Sequence, residues 1–337
     1  MDFSSVIAAV IGFAVAFVLG YPLIPLLKKL KFGQTILEDG PTWHAQKQGT
    51  PTMGGVLIVL GTVLGLGITL LFAPLFKNNL LEEAPIKTIR WVSGLGLAIL
   101  MGFIGFIDDY IKVVKKRNLG LTARQKTFLQ LLVSAAFLGS LALSGMNTTW
   151  IPFVGEVSIV SGFGIIFWPI ALMFIYGFTN AVNLTDGVDG LVSSVTVIVA
   201  CFFLLLAGFS GFLGASVLSA ALAGSLIGFL MWNSHPAKVF MGDTGSLFLG
   251  GAVVGLSFAV GKPILLLLVG IIYLVEAFSV ILQVAYYKKT KKRLFKMSPL
   301  HHHFEMCGWK EEKIVFVFSF VTLIFSLIAY FLFIITR

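Results

Sequence analysis

Apolar residues gather in ten long runs, at about 4–27, 53–73, 89–107, 127–144, 163–182, 191–209, 212–231, 247–260, 264–286 and 313–335, separated by charges, prolines and turn residues. Most reach the roughly 17–25 residues that a helix needs to cross bilayer hydrocarbon. The pattern predicts an all-α, polytopic integral membrane helix bundle of about ten transmembrane helices, a single domain over 1–337. The run 247–260 is short and Gly-rich, and is the span expected to tilt, break or thin the bilayer.

The polar positions between the runs give an orientation. Segments 28–52, 108–126, 183–190, 232–246 and 287–313 hold 19 of the 24 Lys and Arg residues. Short cytoplasmic loops carry the positive excess, so these five segments read as cytoplasmic and both termini as outside. The first run is preceded by Asp2 and followed by Lys28, Lys29 and Lys31, the wrong order for a cleaved signal, and reads as a retained helix.

Composition agrees: 58% of residues are hydrophobic and 12% charged, which leaves little room for a soluble domain. The net charge of +9 lines membrane edges instead of forming one soluble basic face, so membrane lipid and an anionic substrate are the expected partners, with no nucleic acid. Cys201 falls inside a span and Cys307 in a loop, which implies no disulfide or zinc framework.

The acidic residues carry the chemistry. Asp108 and Asp109 end the apolar run of "FIGFIDDYIK", Asp186 and Asp189 sit in "NAVNLTDGVDG", and Asp243 sits in "NSHPAKVFMGDTGS". A carboxylate out of water persists only when paired, metal-bound or facing an aqueous surface. Three loops bring carboxylates to one level of the membrane, the layout of a Mg²⁺-dependent site for phosphoryl chemistry. Turn-forming Asp and Gly at span ends are the ordinary alternative for any one of these motifs.

Other residues surround them. Asn180, Asn183 and Asp186 recur every three residues and would share a helix face, with Asp189 continuing it past Gly187. Asn233, His235, Lys238, Phe240 and Thr244 accompany Asp243, where Gly backbone can meet phosphate and Phe240 can stack on a base. "HAQKQGTPTMGG" offers His44, Lys47, Thr50 and Thr52 as an anion site, without the ending of a P-loop. His301, His302 and His303 can bind diphosphate, donate protons or hold a metal, although three consecutive side chains do not converge on one ion without unusual backbone. The preceding basic stretch, Lys288 to Lys296, reads mainly as an anchor on anionic headgroups.

The strings "KQGTPTMGG", "GFIDDYIK", "TNAVNLTDGVDGL", "NSHPAKVFMGDTGSL" and "MSPLHHHFE", in this order, resemble the phospho-N-acetylmuramoyl-pentapeptide transferase family of bacterial cell membranes, within the polyprenyl-phosphate N-acetylhexosamine-1-phosphate transferases. The resemblance implies a Mg²⁺-dependent transferase of peptidoglycan synthesis that joins UDP-N-acetylmuramoyl-pentapeptide to undecaprenyl phosphate, giving lipid I and UMP at a cytoplasm-facing site. It implies catalytic roles for Asp108, Asp109, Asp186, Asp243, His301 and His302, with Asp108 acting on the lipid phosphate and Asp243 binding the metal. It further implies substrate contacts from Lys47, Thr52, Lys112, Asn183, Gly187, Val188, Asp189, Asn233, Phe240 and His303.

Two alternatives compete. A UDP-N-acetylglucosamine:polyprenyl-phosphate transferase would share the Asp motifs, and "PLHHHFE" is the discriminating string. A cation-coupled transporter would need acids deep in spans, where only Glu276 qualifies. Small residues at four-residue spacing in "GFLGASVLSAALAG" would face a homodimer partner or a helix of the same chain.

Overall fold

The apolar runs fold mainly as helix, because inside a bilayer every backbone N–H and C=O must find its partner within the segment. The computed structural model describes residues 3–30, 47, 49–73, 83–115 and 119–336. His44, most of segment 28–52 and much of the expected loop 74–88 lie outside the described residues.

The helices are α1 (Phe3–Lys29), α2 (Gly55–Phe72), α3 (Pro85–Val114), α4 (Ala123–Leu143), α5 (Phe167–Thr185), α6 (Leu191–Phe209), α7 (Leu213–Asn233), α8 (Gly242–Ala259), α9 (Leu266–Val269), α10 (Ile271–Thr290), α11 (Leu300–Met306) and α12 (Glu311–Ile335). Among the described residues, nine helical segments are long and apolar enough to cross a membrane: α1–α7, with α5 counted from Gly162, α10 and α12.

The tenth expected span, 247–260, is α8, which falls outside that group. Its polar first turn and its glycines lower its apolarity, yet all residues from Thr244 to Ala259 are buried in the protein. A helix enclosed by its neighbours needs close packing more than lipid solubility. α8 runs antiparallel to α3, with Gly105 against the Asp243 backbone at one end and Gly94 against Gly255 near the other. A Cβ at Gly255 would lie 2.6 Å from the Gly94 carbonyl oxygen, whereas one at Gly96 of α3 would meet nothing within 4 Å. Gly255→Leu is therefore expected to lower the thermal unfolding midpoint by overpacking, at about 1–3 kcal/mol or more, while Gly96→Ala leaves it nearly unchanged. Melting curves in detergent check the pair; equal midpoints would contradict this packing.

The small-residue stripe of α7 is used within the chain. Gly224 lies on the α1 backbone at Ala9, Gly228 on Phe13, and Gly12 of α1 on Ala221, so neither helix has room for side chains there.

Two features depart from the expected pattern. Residues 145–162 contain an antiparallel hairpin, β1 (Thr148–Ile151) and β2 (Gly155–Ser158), in register from Thr148↔Ser158 to Ile151↔Gly155. Four-residue strands are too short to leave a readable alternation. The run 264–286 is broken at Gly270, where the Phe178 ring of α5 occupies the space a side chain would need. Beyond the break, α10 buries Ile272, Tyr273, Glu276 and Ser279 and no residue after Ser279, so its second half leaves the bundle with apolar side chains exposed.

Both ends of the described chain lie at the hairpin end of the bundle. Ser5 hydrogen-bonds Ser216 near the start of α7, and Lys262 lies over the rings of Trp150 in β1 and Phe333 in α12 at 5.4 and 5.2 Å. The acidic residues singled out in the sequence gather at the opposite end.

Candidate active site

α3 ends in the pair Asp108–Asp109, and α8 begins beside it. The Asp109 carboxylate caps α8: Oδ1 accepts from the Asp243 N–H at 3.2 Å, and Oδ2 from the Thr244 N–H at 2.9 Å and the Thr244 hydroxyl at 2.7 Å. The first N–H groups of a helix have no partner within it, and a carboxylate satisfies both their hydrogen-bonding and the helix dipole. The approach needs Gly242, at φ 72°, because a side chain there would collide with Asp109 and Thr52. The loop bearing Thr52 is tied to this entry, with the Phe240 N–H donating to the Pro51 carbonyl and the Gly54 N–H to the Phe240 carbonyl, each at 2.8 Å.

With α8 fixed, Asp243 faces Asp108 across two lysines. Lys112 Nζ lies 2.7 Å from Asp108 Oδ2 and 2.8 Å from Asp243 Oδ2, and Lys126 Nζ lies 3.0 Å from the same Asp243 oxygen. Asp108 Oδ1 accepts from the Leu121 N–H at 2.8 Å, and Asp243 Oδ1 accepts from the Asn183 amide at 2.8 Å. One oxygen from each of Asp108, Asp109 and Asp243 lies within 4.8 Å of the other two. An all-oxygen set of this kind suits a hard cation, and the lysine ammonium groups already concentrate there.

Asp186 follows α5 at the edge of this cluster. Burial first, and then the charges of Asp243, Asp109 and Asp189, push its carboxyl up to about 8 from an ordinary 3.8. A carboxyl that binds its proton more tightly when folded adds stability that is full below its unfolded pKa and lost as pH rises through the folded one. In EDTA-treated protein, Asp186→Asn should flatten the fall in melting temperature between pH about 4 and about 8. Scanning calorimetry across that range checks it, and an unchanged slope would contradict the assignment.

A second cluster lies alongside. Lys47 Nζ bridges Asp189 at 2.8 Å and Glu311 at 2.7 Å, and Asp189 Oδ2 also meets His235 Nδ1 at 3.2 Å and the Ala237 N–H at 3.0 Å. Burial opposes the charge on Lys47, but the two carboxylates outweigh it and hold the ammonium above its ordinary pKa. Asn233 is buried and hydrogen-bonded at both ends of its amide: the oxygen accepts from the Gly190 N–H at 3.2 Å and the Ser193 hydroxyl at 3.4 Å, and the NH₂ donates to the Val239 carbonyl at 3.0 Å. Val188 is buried too, while Phe240 is half-buried.

The histidines separate by orientation. His301 packs its ring on Gly187, with both its backbone N–H and its Nδ1 3.1 Å from the Glu276 carboxylate. His302 Nδ1 lies 2.6 Å from Glu305. His303 points elsewhere: its Nδ1 accepts from the Lys296 N–H at 3.1 Å and its ring meets Phe295. Asn180 leaves the expected stripe and donates to Gln130 at 2.8 Å.

Three participants were missed in the sequence. Lys126 has a local signal, since the capping box of Thr122 and Gln125 opens α4 and sets Lys126 in its first turn. Glu311 lies in the charged run "KEEK", and Glu276 reads as a hydrogen-bonding group within the bundle with no assigned role; neither shows its partner in the sequence.

Comparison with known proteins bears on this geometry. Residues 91–261 match the pattern of Glycosyl transferase family 4, which takes in Asp108, Asp109, Asp186 and Asp243, and residues 47–59 match phospho-N-acetylmuramoyl-pentapeptide-transferase signature 1. A phospho-N-acetylmuramoyl-pentapeptide-transferase of Clostridium perfringens (strain 13 / Type A) is 46% identical over 98% of this chain and 99% of its own. Proteins of the same name from Carboxydothermus hydrogenoformans and Caldicellulosiruptor bescii are 48% and 42% identical, covering 96% and 98% of this chain and 97% of each of theirs.

Proposed function

The chain belongs to the phospho-N-acetylmuramoyl-pentapeptide-transferase family, and from that premise we propose that its acidic cluster transfers phospho-N-acetylmuramoyl-pentapeptide from UDP-N-acetylmuramoyl-pentapeptide to undecaprenyl phosphate, giving lipid I and UMP. The observation that carries the reading is the convergence of Asp108, Asp109 and Asp243 on Lys112 and Lys126 at one end of a membrane bundle. A lipid phosphate sits at headgroup depth and a nucleotide sugar comes from water, so their meeting point must be a polar cleft at a membrane edge. The lysine and arginine excess of the segments at this end supports a cytoplasmic orientation in a bacterial cell membrane.

Asp243, with the neighbouring carboxylates, would hold Mg²⁺. Bound there, the ion supplies neutralisation of charge on the diphosphate. The chain's own groups do the rest. Asp108, held by the Leu121 N–H and Lys112, positions the lipid phosphate and takes its proton where one is present. A phosphate oxygen of the lipid forms a bond to the β-phosphorus, the bond from that phosphorus to the bridging oxygen breaks, and the electron pair leaves with UMP. Lys112 and Lys126 can exchange Asp243 for phosphate oxygens as charge shifts, so positioning and electrostatics carry most of the rate. Phe240 offers a ring for the uracil, and Lys47 a half-buried cation beside Asp189.

The test compares UMP release from UDP-N-acetylmuramoyl-pentapeptide and from UDP-N-acetylglucosamine by purified protein with undecaprenyl phosphate and Mg²⁺. Release from the first alone is expected. Release from the second alone would move the assignment to the N-acetylglucosamine enzymes.

A further inference from the structure

Glu276 has no place in the transfer as described, yet it is one of the most enclosed charged side chains in the molecule, with no exposed surface. An isolated carboxylate out of water is costly, so its partners define its purpose. Both partners are on His301. One carboxylate oxygen accepts the His301 backbone N–H, and the other lies 3.1 Å from the ring Nδ1. The same ring keeps its other nitrogen, Nε2, buried with no hydrogen-bond partner among the described residues. That nitrogen lies against Gly187, the neighbour of Asp186, at the edge of the acidic cluster.

Two acceptor oxygens facing a ring nitrogen and a backbone N–H admit one tautomer of a neutral imidazole. The proton must sit on Nδ1, and the lone pair is left on Nε2. Buried polar atoms in a folded protein find partners, so an acceptor with none beside a site is a place for a donor that arrives with the ligand. Glycine at 187 lets the ring reach this place, since a methyl there would overlap it.

We propose that Glu276 is a positioning residue for the transfer: it holds His301 in the Nδ1–H tautomer, with Nε2 presented to a hydroxyl or N–H donor of the substrate. The role rests on the transferase reading for its consequence, but the tautomer itself does not. Glu276→Gln tests it closely. The amide can accept the backbone N–H with its oxygen, but then turns its NH₂ toward Nδ1, which forces the proton onto Nε2 and places a donor where the substrate needs an acceptor. The same change of tautomer disables an imidazole when the carboxylate of a catalytic triad becomes an amide.

Glu276→Gln is expected to lower kcat/KM by about 10–100-fold, the usual effect of losing an orienting carboxylate, with an unchanged melting temperature. In a His301→Asn background the same substitution should cost nothing further, because Glu276 acts through that ring. A purely structural role would lower the melting temperature and add its loss in both backgrounds, and either result overturns the proposal. The wild-type protein gives an independent test. ¹⁵N spectra of histidine-labelled enzyme, at a pH where the ring is neutral, should show His301 protonated at Nδ1, with its signal assigned by its loss in His301→Asn. Protonation at Nε2 overturns the proposal even if Glu276→Gln fails to fold. Absence of UMP release from wild type would instead count against the transferase reading and leave the tautomer standing.

Discussion

Asp243→Asn is expected to reduce UMP release at least about a thousandfold, more than removal of a single preorganised donor usually costs. Asp243 holds the cluster together: Oδ2 receives Lys112 and Lys126, Oδ1 receives Asn183, and its backbone N–H is one of those capped by Asp109. The amide keeps the backbone contact but removes the charge that gathers both ammonium groups, and it removes the oxygen donor assigned to Mg²⁺. Lys126 is partly exposed and Lys112 retains Asp108, so neither is stranded without a partner or water. The fold should therefore survive, with a melting temperature close to wild type, and steady-state UMP release checks the loss. Activity within tenfold of wild type would remove Asp243 from the centre of the account.

Asp108→Asn should act differently. In the proposed mechanism its role is confined to the lipid phosphate, so kcat should fall about 10²–10⁴-fold, the usual range for a general base, while nucleotide-sugar binding stays near wild type. The substituted side chain still accepts the Leu121 N–H through its oxygen, which limits structural damage. Single-turnover rates together with nucleotide-sugar binding by calorimetry separate the two effects. Loss of binding in parallel with turnover would place Asp108 on the nucleotide side, and a stable phospho-enzyme in wild type would replace direct attack by a two-step path.

Much of this architecture is legible in the sequence because the bilayer restricts the choices. A membrane-spanning segment of this composition must be helical, and nine of the ten apolar runs correspond to helical segments of spanning length and apolarity. α8 departs because its surroundings are protein: Gly94, Gly105 and Gly255 allow α3 and α8 to touch backbone to backbone, and apolarity no longer measures its place. The break at Gly270 depends on the Phe178 ring, which lies far away in sequence, and so left no local mark.

The acidic residues were legible as a set because charge is scarce in this chain. Their division of labour was not. Asp109 and Asp108 are adjacent and chemically alike, yet one caps α8 and the other pairs with Lys112. The resemblance implies substrate contacts from Asn233 and Asp189; what the sequence does not show is that polar atoms of both also meet Gly190, Ser193, Val239, Lys47 and Ala237 within the chain. Lys126, Glu311 and Glu276 meet partners far away in sequence, Asp243, Lys47 and His301, and only Lys126 carries a local signal.

The most direct measurement is product formation itself. Purified protein, undecaprenyl phosphate, UDP-N-acetylmuramoyl-pentapeptide and Mg²⁺ are incubated, and mass spectrometry follows both the lipid and the nucleotide. Undecaprenyl-diphospho-N-acetylmuramoyl-pentapeptide and UMP are expected in equal amounts, abolished by EDTA and restored by added Mg²⁺. Folded protein that yields neither product, or full yield in EDTA, would contradict it.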